Sequence, residues 1–276
     1  MRSYKTVLAD EKEMGELRSI IEVYEELASV SMQKIRRDIL SARQFYEGLI
    51  RLSIEVGSDF EAILSPQKKT AAVFISSNMG LYGDIIERTF AHFLDFIKKR
   101  RTDTYIIGRV GAEMMREYAP KFAFRMINLA DEKIGQDEFG TLITSMASYR
   151  EIAIFYGKYH NIAVQIPSQA TLTGDILPKD EDASLTRKKQ MIYLYEPSLG
   201  DVSEVFARQI LALNLEEIVY ESMLAKFASR LMHLDRSLLR IEERLFADAI
   251  EKRRAIHARA DKKQKEMVAG VMARGI

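Results

Sequence analysis

Apolar side chains recur every seven residues along the N-terminal part of the chain. A second set of apolar residues follows the first after three positions. Spacings of three and four place these side chains on one stripe of an α-helix and are typical of a coiled coil. The pattern predicts a helix over residues 14–64, roughly 75 Å long at 1.5 Å per residue. The first seam position holds Met14, Ile21, Ala28, Ile35, Ala42, Leu49 and Val56, and the second holds Leu17, Tyr24, Phe45 and Leu52.

The C-terminal part of the chain carries a similar stripe. A helix over residues 201–269 would be roughly 100 Å long, which requires a partner helix, and the N-terminal helix is the predicted partner. Asp248 and Lys252 stand where apolar residues are due. We therefore expect the pairing to end at Leu245 and the helix to extend alone beyond it. The stripe consists of Tyr220, Leu224, Phe227, Leu231, Leu234, Leu238, Ile241 and Leu245.

The middle of the chain alternates short β-rich segments with helical ones, and all five prolines lie there. This alternation predicts a mostly parallel sheet with flanking helices. The predicted fold class is therefore α/β, with a Rossmann-like α/β domain inserted into a long antiparallel coiled coil of the N- and C-terminal helices. The predicted domains are residues 1–66, 67–197 and 198–276. The predicted strands are 71–75, 104–107, 122–127, 152–156, 162–166 and 191–195, and the predicted shorter helices are 84–100, 112–118 and 138–149.

The composition narrows the classes of function. The 276 residues include 41 basic and 40 acidic side chains, a net charge of +1, which argues against a strongly basic nucleic-acid-binding protein. The absence of cysteine excludes a disulfide scaffold, a thiol nucleophile and Cys-ligated metals. No long apolar run and no apolar leader are present, so we expect neither a membrane-spanning helix nor a secretory signal.

Candidate chemistry is sparse. Residues 78–83 (Asn-Met-Gly-Leu-Tyr-Gly) follow a predicted strand and open a helix, which is where phosphate-binding loops lie. No Lys-Ser/Thr pair follows, so we favour a tight turn that needs glycine for its backbone, and an α/β nucleotide-binding protein stays as the alternative. The four histidines show no ligand spacing, and no cofactor is expected. Residues 251–276 carry eight basic and three acidic side chains, a net charge of +5.

Six local motifs, in order, resemble those of the gamma subunit of F-type ATP synthases, the rotor of the central stalk. The most specific is residues 193–198 (Tyr-Leu-Tyr-Glu-Pro-Ser), which is similar to the family's Y-x-[FY]-E-P-[SD] box. Asn78 and Met79 depart from the family's Asp and Arg, and residues 259–267 match its R-Q-x-x-I-T-x-E box poorly. The other five motifs are residues 30–37 (M-V-A-A-x-K-L-R-R), 77–83 (S-D-R-G-L-C-G), 107–111 (I-G-x-K-G), 155–159 (Y-N-K-F), and 165–167 with 176–178 (Q-x-P…L-L-P).

The resemblance implies a non-catalytic subunit that transmits torque between a membrane ion-translocating ring and a catalytic alpha/beta hexamer. It implies alpha, beta and epsilon subunits and the c-ring as partners, on the cytoplasmic face of the cell membrane, with neither nucleic-acid binding nor direct membrane insertion. A rotor of a specialised paralogous rotary ATPase and a coiled-coil scaffold without a rotary role stay as alternatives. The expected partner-binding residues are Lys34, Arg36 and Arg37, then Tyr193, Tyr195 and Glu196 at the foot, and Arg253, Arg254, Arg259, Lys262 and Lys263 facing acidic beta-subunit loops.

Overall fold

The computed structural model describes residues 4–56, 69–173, 196 and 198–273. Contacts divide the chain into a helix-pair unit, residues 1–28 with 231–276, and a central unit, residues 29–230. The predicted domain limits at residues 66 and 197 and the predicted strand 191–195 lie outside the described residues. The elements are α1 (Tyr4–Val56), β1 (Thr70–Ile75), α2 (Ile85–Lys99), β2 (Asp103–Ile107), α3 (Arg109–Tyr118), β3 (Arg125–Ile127), α4 (Gln136–Met146), β4 (Glu151–Tyr159), β5 (Gln165–Thr173) and α5 (Leu199–Ala273).

The central unit is built on a five-stranded sheet of order β3-β2-β1-β4-β5. The first four strands in that order are parallel, and β5 is antiparallel to β4. The predicted α/β class with a mostly parallel sheet is confirmed. Two predicted strands differ in extent, because β3 has only three residues and β5 starts at Gln165 and runs to Thr173.

The core of the central unit is aromatic. In β1 every residue after Thr70 is buried, as expected for a parallel strand covered on both faces. The ring of Phe93, from α2, lies 5.3 Å from that of Phe74 on β1 and 5.6 Å from that of Phe155 on β4. All three side chains are almost completely buried. This cluster fixes α2 against the two central strands.

The part of α5 that lies in the central unit is buried on several sides. Between Ile210 and Arg230 most side chains are inaccessible, including Ala225 and Ala228. A helix that is apolar around much of its circumference is a core helix rather than a surface one. This segment of α5 is therefore part of the core of the central unit.

The helix-pair unit is antiparallel. Arg18 lies 3.5 Å from Glu242, and Asp10 lies 3.7 Å from Arg244, so positions rise along α1 as they fall along α5. Ile241, from the predicted C-terminal stripe, is buried. The predicted antiparallel pairing of the two terminal helices is confirmed.

The prediction for the second seam position of α1 is wrong. Leu17, Tyr24 and Phe45 are 40%, 37% and 55% exposed. The side chains that turn inward with the first seam position stand four residues after it rather than three, as Met32 and Ile39 do. The apolar repeat gave the correct period, but the packing partner lies on the other side of the first seam position.

The predicted end of the pairing at Leu245 is also wrong. Asp248 is 1% exposed, and Lys252 Nζ lies 2.6 Å from Glu11 Oε2. Residues 4–11 of α1 supply this additional packing, and Val7 is completely buried. Every described side chain from Ile256 onward is exposed. The unpaired part of α5 therefore begins about three helical turns later than the apolar stripe predicts.

Candidate functional site

The glycine turn, residues 77–83, joins β1 to α2 in the central unit. Leu81 and Gly83 have positive φ angles of 67° and 62°, in the left-handed region that favours glycine. A Cβ atom on Gly83 would lie 2.5 Å from Oγ of Ser229 on α5. Gly83 thus permits both the turn conformation and a close approach of α5, which favours the interpretation of this segment as a structural turn.

A buried ion pair lies against the glycine turn. Lys226 Nζ, on α5, lies 3.0 Å from Asp131 Oδ1 and donates to the main-chain oxygen of Ser76 at 3.0 Å. The two charged side chains are only 4% and 5% exposed. Burial lowers the pKa of Lys226, and the neighbouring Asp131 carboxylate opposes that shift. The pair attaches α5 to the segment that follows β1.

Asp131 also binds the main chain of the turn. Its Oδ2 accepts hydrogen bonds from the N–H groups of Asn78 at 2.8 Å and Met79 at 3.0 Å. Main-chain N–H groups at a strand-to-helix turn are the donors that a phosphate group would use. An internal carboxylate occupies these two, so the geometry gives the nucleotide-binding alternative no support.

Arg230 makes a second attachment, one helical turn after Lys226. Its Nη2 donates to the main-chain oxygen of Gly80 at 3.1 Å, and its guanidinium lies 4.1 Å from the centre of the Tyr82 ring. Burial, followed by the charge of Asp131, raises the pKa of Tyr82. The phenol therefore stays neutral and supplies an aromatic face for the cation.

An open groove of about 630 Å³ lies beside the glycine turn, between α2 and α3. Its lining includes the exposed apolar side chains of Met79, Leu81 and Tyr118, and the carboxylates of Glu87 and Glu117. The two carboxylates repel anions, so this lining does not suit a nucleotide. Over the described residues, no cluster of three or more His, Asp or Glu side chains could hold a metal ion.

The predicted cations of α1 lie in the central unit and differ in their surroundings. Lys34 and Arg37 are exposed. Arg36 donates to Tyr159 Oη at 2.9 Å, and its guanidinium lies 5.9 Å from the centre of that ring. Arg36 is thus engaged with β4, and Lys34 and Arg37 are open to solvent. Among the predicted foot residues, Glu196 is exposed, and Tyr193 and Tyr195 lie outside the described residues.

The five predicted cations of α5 form the basic end, defined as Arg253, Arg254, Arg259, Lys262 and Lys263. All five side chains are exposed in the helix-pair unit. Lys262 makes a local ion pair with Glu266 at 3.8 Å. At about 100° per residue, these positions spread around the helix rather than forming one face. The basic end therefore presents positive charge in most directions.

No helix in the described part of the chain is both long and apolar enough to cross a membrane. A family model described as ATP synthase matches residues 9–273. The chain belongs to the ATP synthase family.

Relatives and solved structures agree with this family. The ATP synthase gamma chain of Amoebophilus asiaticus is 24% identical over 264 residues, which cover 89% of each chain. That of Glaesserella parasuis is 23% identical over 228 residues, 77% of each chain. The rotor of the Euglena gracilis mitochondrial ATP synthase superposes with a TM-score of 0.60 at 15% identity, covering 96% of this chain and 99% of that one.

Membership of the ATP synthase family confirms the resemblance to its gamma subunits. The chain is a gamma-type central-stalk subunit of a rotary ATP synthase, and its family marks it as a non-catalytic subunit. The complex to which such subunits belong is peripheral to a membrane. The glycine turn is accordingly a structural joint in a gamma-type chain.

Sequence reasoning missed the most highly connected polar residues of this ATP synthase subunit, Lys226, Asp131 and Arg230. Lys226 stands inside an apolar run of α5, between Ala225 and Phe227. A lysine in such a run is a signal for a buried partner, because an unpaired buried charge is very costly. The sequence contains nothing that would identify Asp131 as that partner, since it lies 95 residues away.

Proposed function

We propose that this chain is the rotor of a membrane-peripheral ATP synthase and transmits torque between a membrane ion-translocating ring and a catalytic alpha/beta hexamer. Its proposed partners are the alpha, beta and epsilon subunits and the c-ring, on the cytoplasmic face of the cell membrane. Family membership and the gamma chains among its relatives support this role. A rotor that presents different contacts to each catalytic subunit in turn shifts each one between discrete states.

The observation that carries the proposed contact with the hexamer is the exposure of the basic end. Its five cations are open to solvent, and every described side chain beyond Ala255 is exposed as well. Charges of this kind interact over distances near the Debye length, about 10 Å at 0.1 M salt, without a fixed geometry. Attraction to acidic beta-subunit loops would thus centre the helix without locking it at one angle.

At the other end of the proposed rotor, Tyr193, Tyr195 and Glu196 would contact the membrane ring and the epsilon subunit. Lys34 and Arg37 offer free cations on α1. Arg36 is held by Tyr159, so its proposed contribution is to orient this part of α1 rather than to bind a partner directly.

The test reverses the charge of the basic end. All five cations are replaced by Glu in the assembled complex, and ATP hydrolysis and ATP-driven ion transport are measured together in vesicles. We expect less ion transport per ATP hydrolysed, with partial recovery at high salt because screening weakens the new repulsion. Lys98→Glu with Lys99→Glu, on the exposed end of α2, is the matched control. Unchanged coupling in the five-residue variant would refute the role of the basic end.

A rotor of a specialised paralogous ATPase is the second candidate, favoured by Asn78 and Met79 at positions where the family has Asp and Arg. Purification of the complex through a tag on this chain would separate the candidates. Stoichiometric subunits of the main ATP synthase would support the first, and a distinct set of alpha and beta subunits would support the second. Isolation of the chain without any alpha or beta subunit would favour a scaffold role.

A further inference from the structure

The carboxylate of Asp131 joins three separate segments of the central unit. Its Oδ1 binds Lys226 on α5, and its Oδ2 binds the main chain of the glycine turn, while Asp131 itself belongs to the segment after β3. Asn78 reinforces the connection, because its Nδ2 donates to the main-chain oxygen of Leu129 at 2.5 Å. One buried charge pair thus links α5 to the carboxyl ends of β1 and β3.

Stability alone does not account for this ion pair. Removing two charges from water costs about as much as their attraction returns, so replacing a buried pair by apolar side chains is often neutral or stabilising. Ion pairs and hydrogen bonds are directional, whereas apolar packing depends mainly on buried area. A buried pair in an otherwise apolar contact therefore fixes register and orientation.

The neighbouring contacts restrict the same relative movement. Arg230 stands four residues after Lys226 and holds Gly80, so two successive turns of α5 are bonded to the glycine turn. Between them, Ser229 fills the space that a side chain at Gly83 would need. Rotation of α5 about its axis would break both polar contacts and force Ser229 into the turn.

We infer that Lys226 and Asp131 are positioning residues for torque transfer, forming the joint that prevents α5 from turning relative to the sheet of the central unit. This inference rests on the proposed rotor function. Torque applied to the sheet acts tangentially on α5, and a directional pair at the helix surface resists that force, whereas apolar side chains can slide past one another.

The test replaces the pair without leaving a buried charge. In Lys226→Met with Asp131→Asn, the Asn side chain still offers an acceptor to the turn, and the ion pair is gone. The assembled complex is examined for thermal unfolding of the subunit, for ions transported per ATP hydrolysed, and for rotation against load. We expect wild-type thermal stability with a loss of coupling and of rotation under load. Arg43→Gln with Glu217→Gln removes an exposed ion pair of 2.9 Å in the same unit as the matched control.

A second variant, Lys226→Gln with Asp131→Asn, keeps polar side chains at both positions and decides the case if the first does not assemble. Coupling below that of the control supports the inference, and coupling equal to the control overturns it. Failure of both variants to assemble also overturns it, because the pair would then serve folding itself. Absence of ATP-driven transport in the wild-type complex would instead refute the rotor function.

Discussion

Replacement of Gly108 by alanine should destabilise the central unit strongly. Gly108 precedes α3 and has φ 96° and ψ 148°, a conformation that costs a non-glycine residue about 1–3 kcal/mol. A Cβ atom there would also lie 2.7 Å from the main-chain nitrogen and oxygen of Ser77. Main-chain atoms cannot rotate away, so overpacking adds about 1–3 kcal/mol. The expected loss is therefore about 2–6 kcal/mol.

Gly140→Ala is the matched control, because it makes the same chemical change inside α4 where no atom lies within 4 Å of the added Cβ. It should stabilise the chain by about 0.5–1 kcal/mol, since alanine is the better helix former. The assay is urea unfolding followed by the near-ultraviolet circular dichroism of tyrosines, several of which are buried in this unit. The reasoning would be refuted if Gly108→Ala unfolded at the same urea concentration as the wild type.

Three further predictions concern the core, alkaline pH and the helix pair. Phe93→Ala, at a completely buried ring beside Phe155, should cost about 3–5 kcal/mol in urea unfolding; a loss below 1 kcal/mol would contradict the packing. Burial raises the pKa of Tyr220 to about 12, so its contribution to stability, complete below its unfolded value near 10, should disappear as the pH rises to about 12. Tyr220→Phe should flatten that pH dependence, and an unchanged slope would refute it. Lys252→Met should speed hydrogen exchange around Glu11 modestly at low salt, with a difference that shrinks at high salt.

The sequence carried the period of each element better than its orientation. The strands β1, β2 and β4 were predictable because their apolar runs are short, rich in β-branched and aromatic residues and bounded by polar segments. The seven-residue repeat of α1 also located the helix. The same repeat could not show on which side of the first seam position the partner lies, so Leu17 was placed inward and Met32 was not.

Polar residues at buried positions were the main obstacle. Asp248 and Lys252 indicate the end of an apolar stripe when α5 is read alone, yet they pack against α1, where Glu11 supplies the opposite charge. The pairing of Lys226 with Asp131 was equally inaccessible, since it depends on the order of strands in the sheet. For the basic end, exposure was predictable because its charges are dense and lack an apolar face, and its partner contacts stay a prediction.

The pairing of the two chain ends sets a time order on biosynthesis. Glu11 and Lys252 are 241 residues apart, so at about 5–20 residues per second a ribosome needs roughly 12–50 s to make the second after the first. During that interval the inward stripe of α1, including Val7 and Met32, has no α5 to cover it. The nascent chain thus carries an uncovered apolar helix for most of its synthesis, and the helix pair can close only when translation is nearly complete.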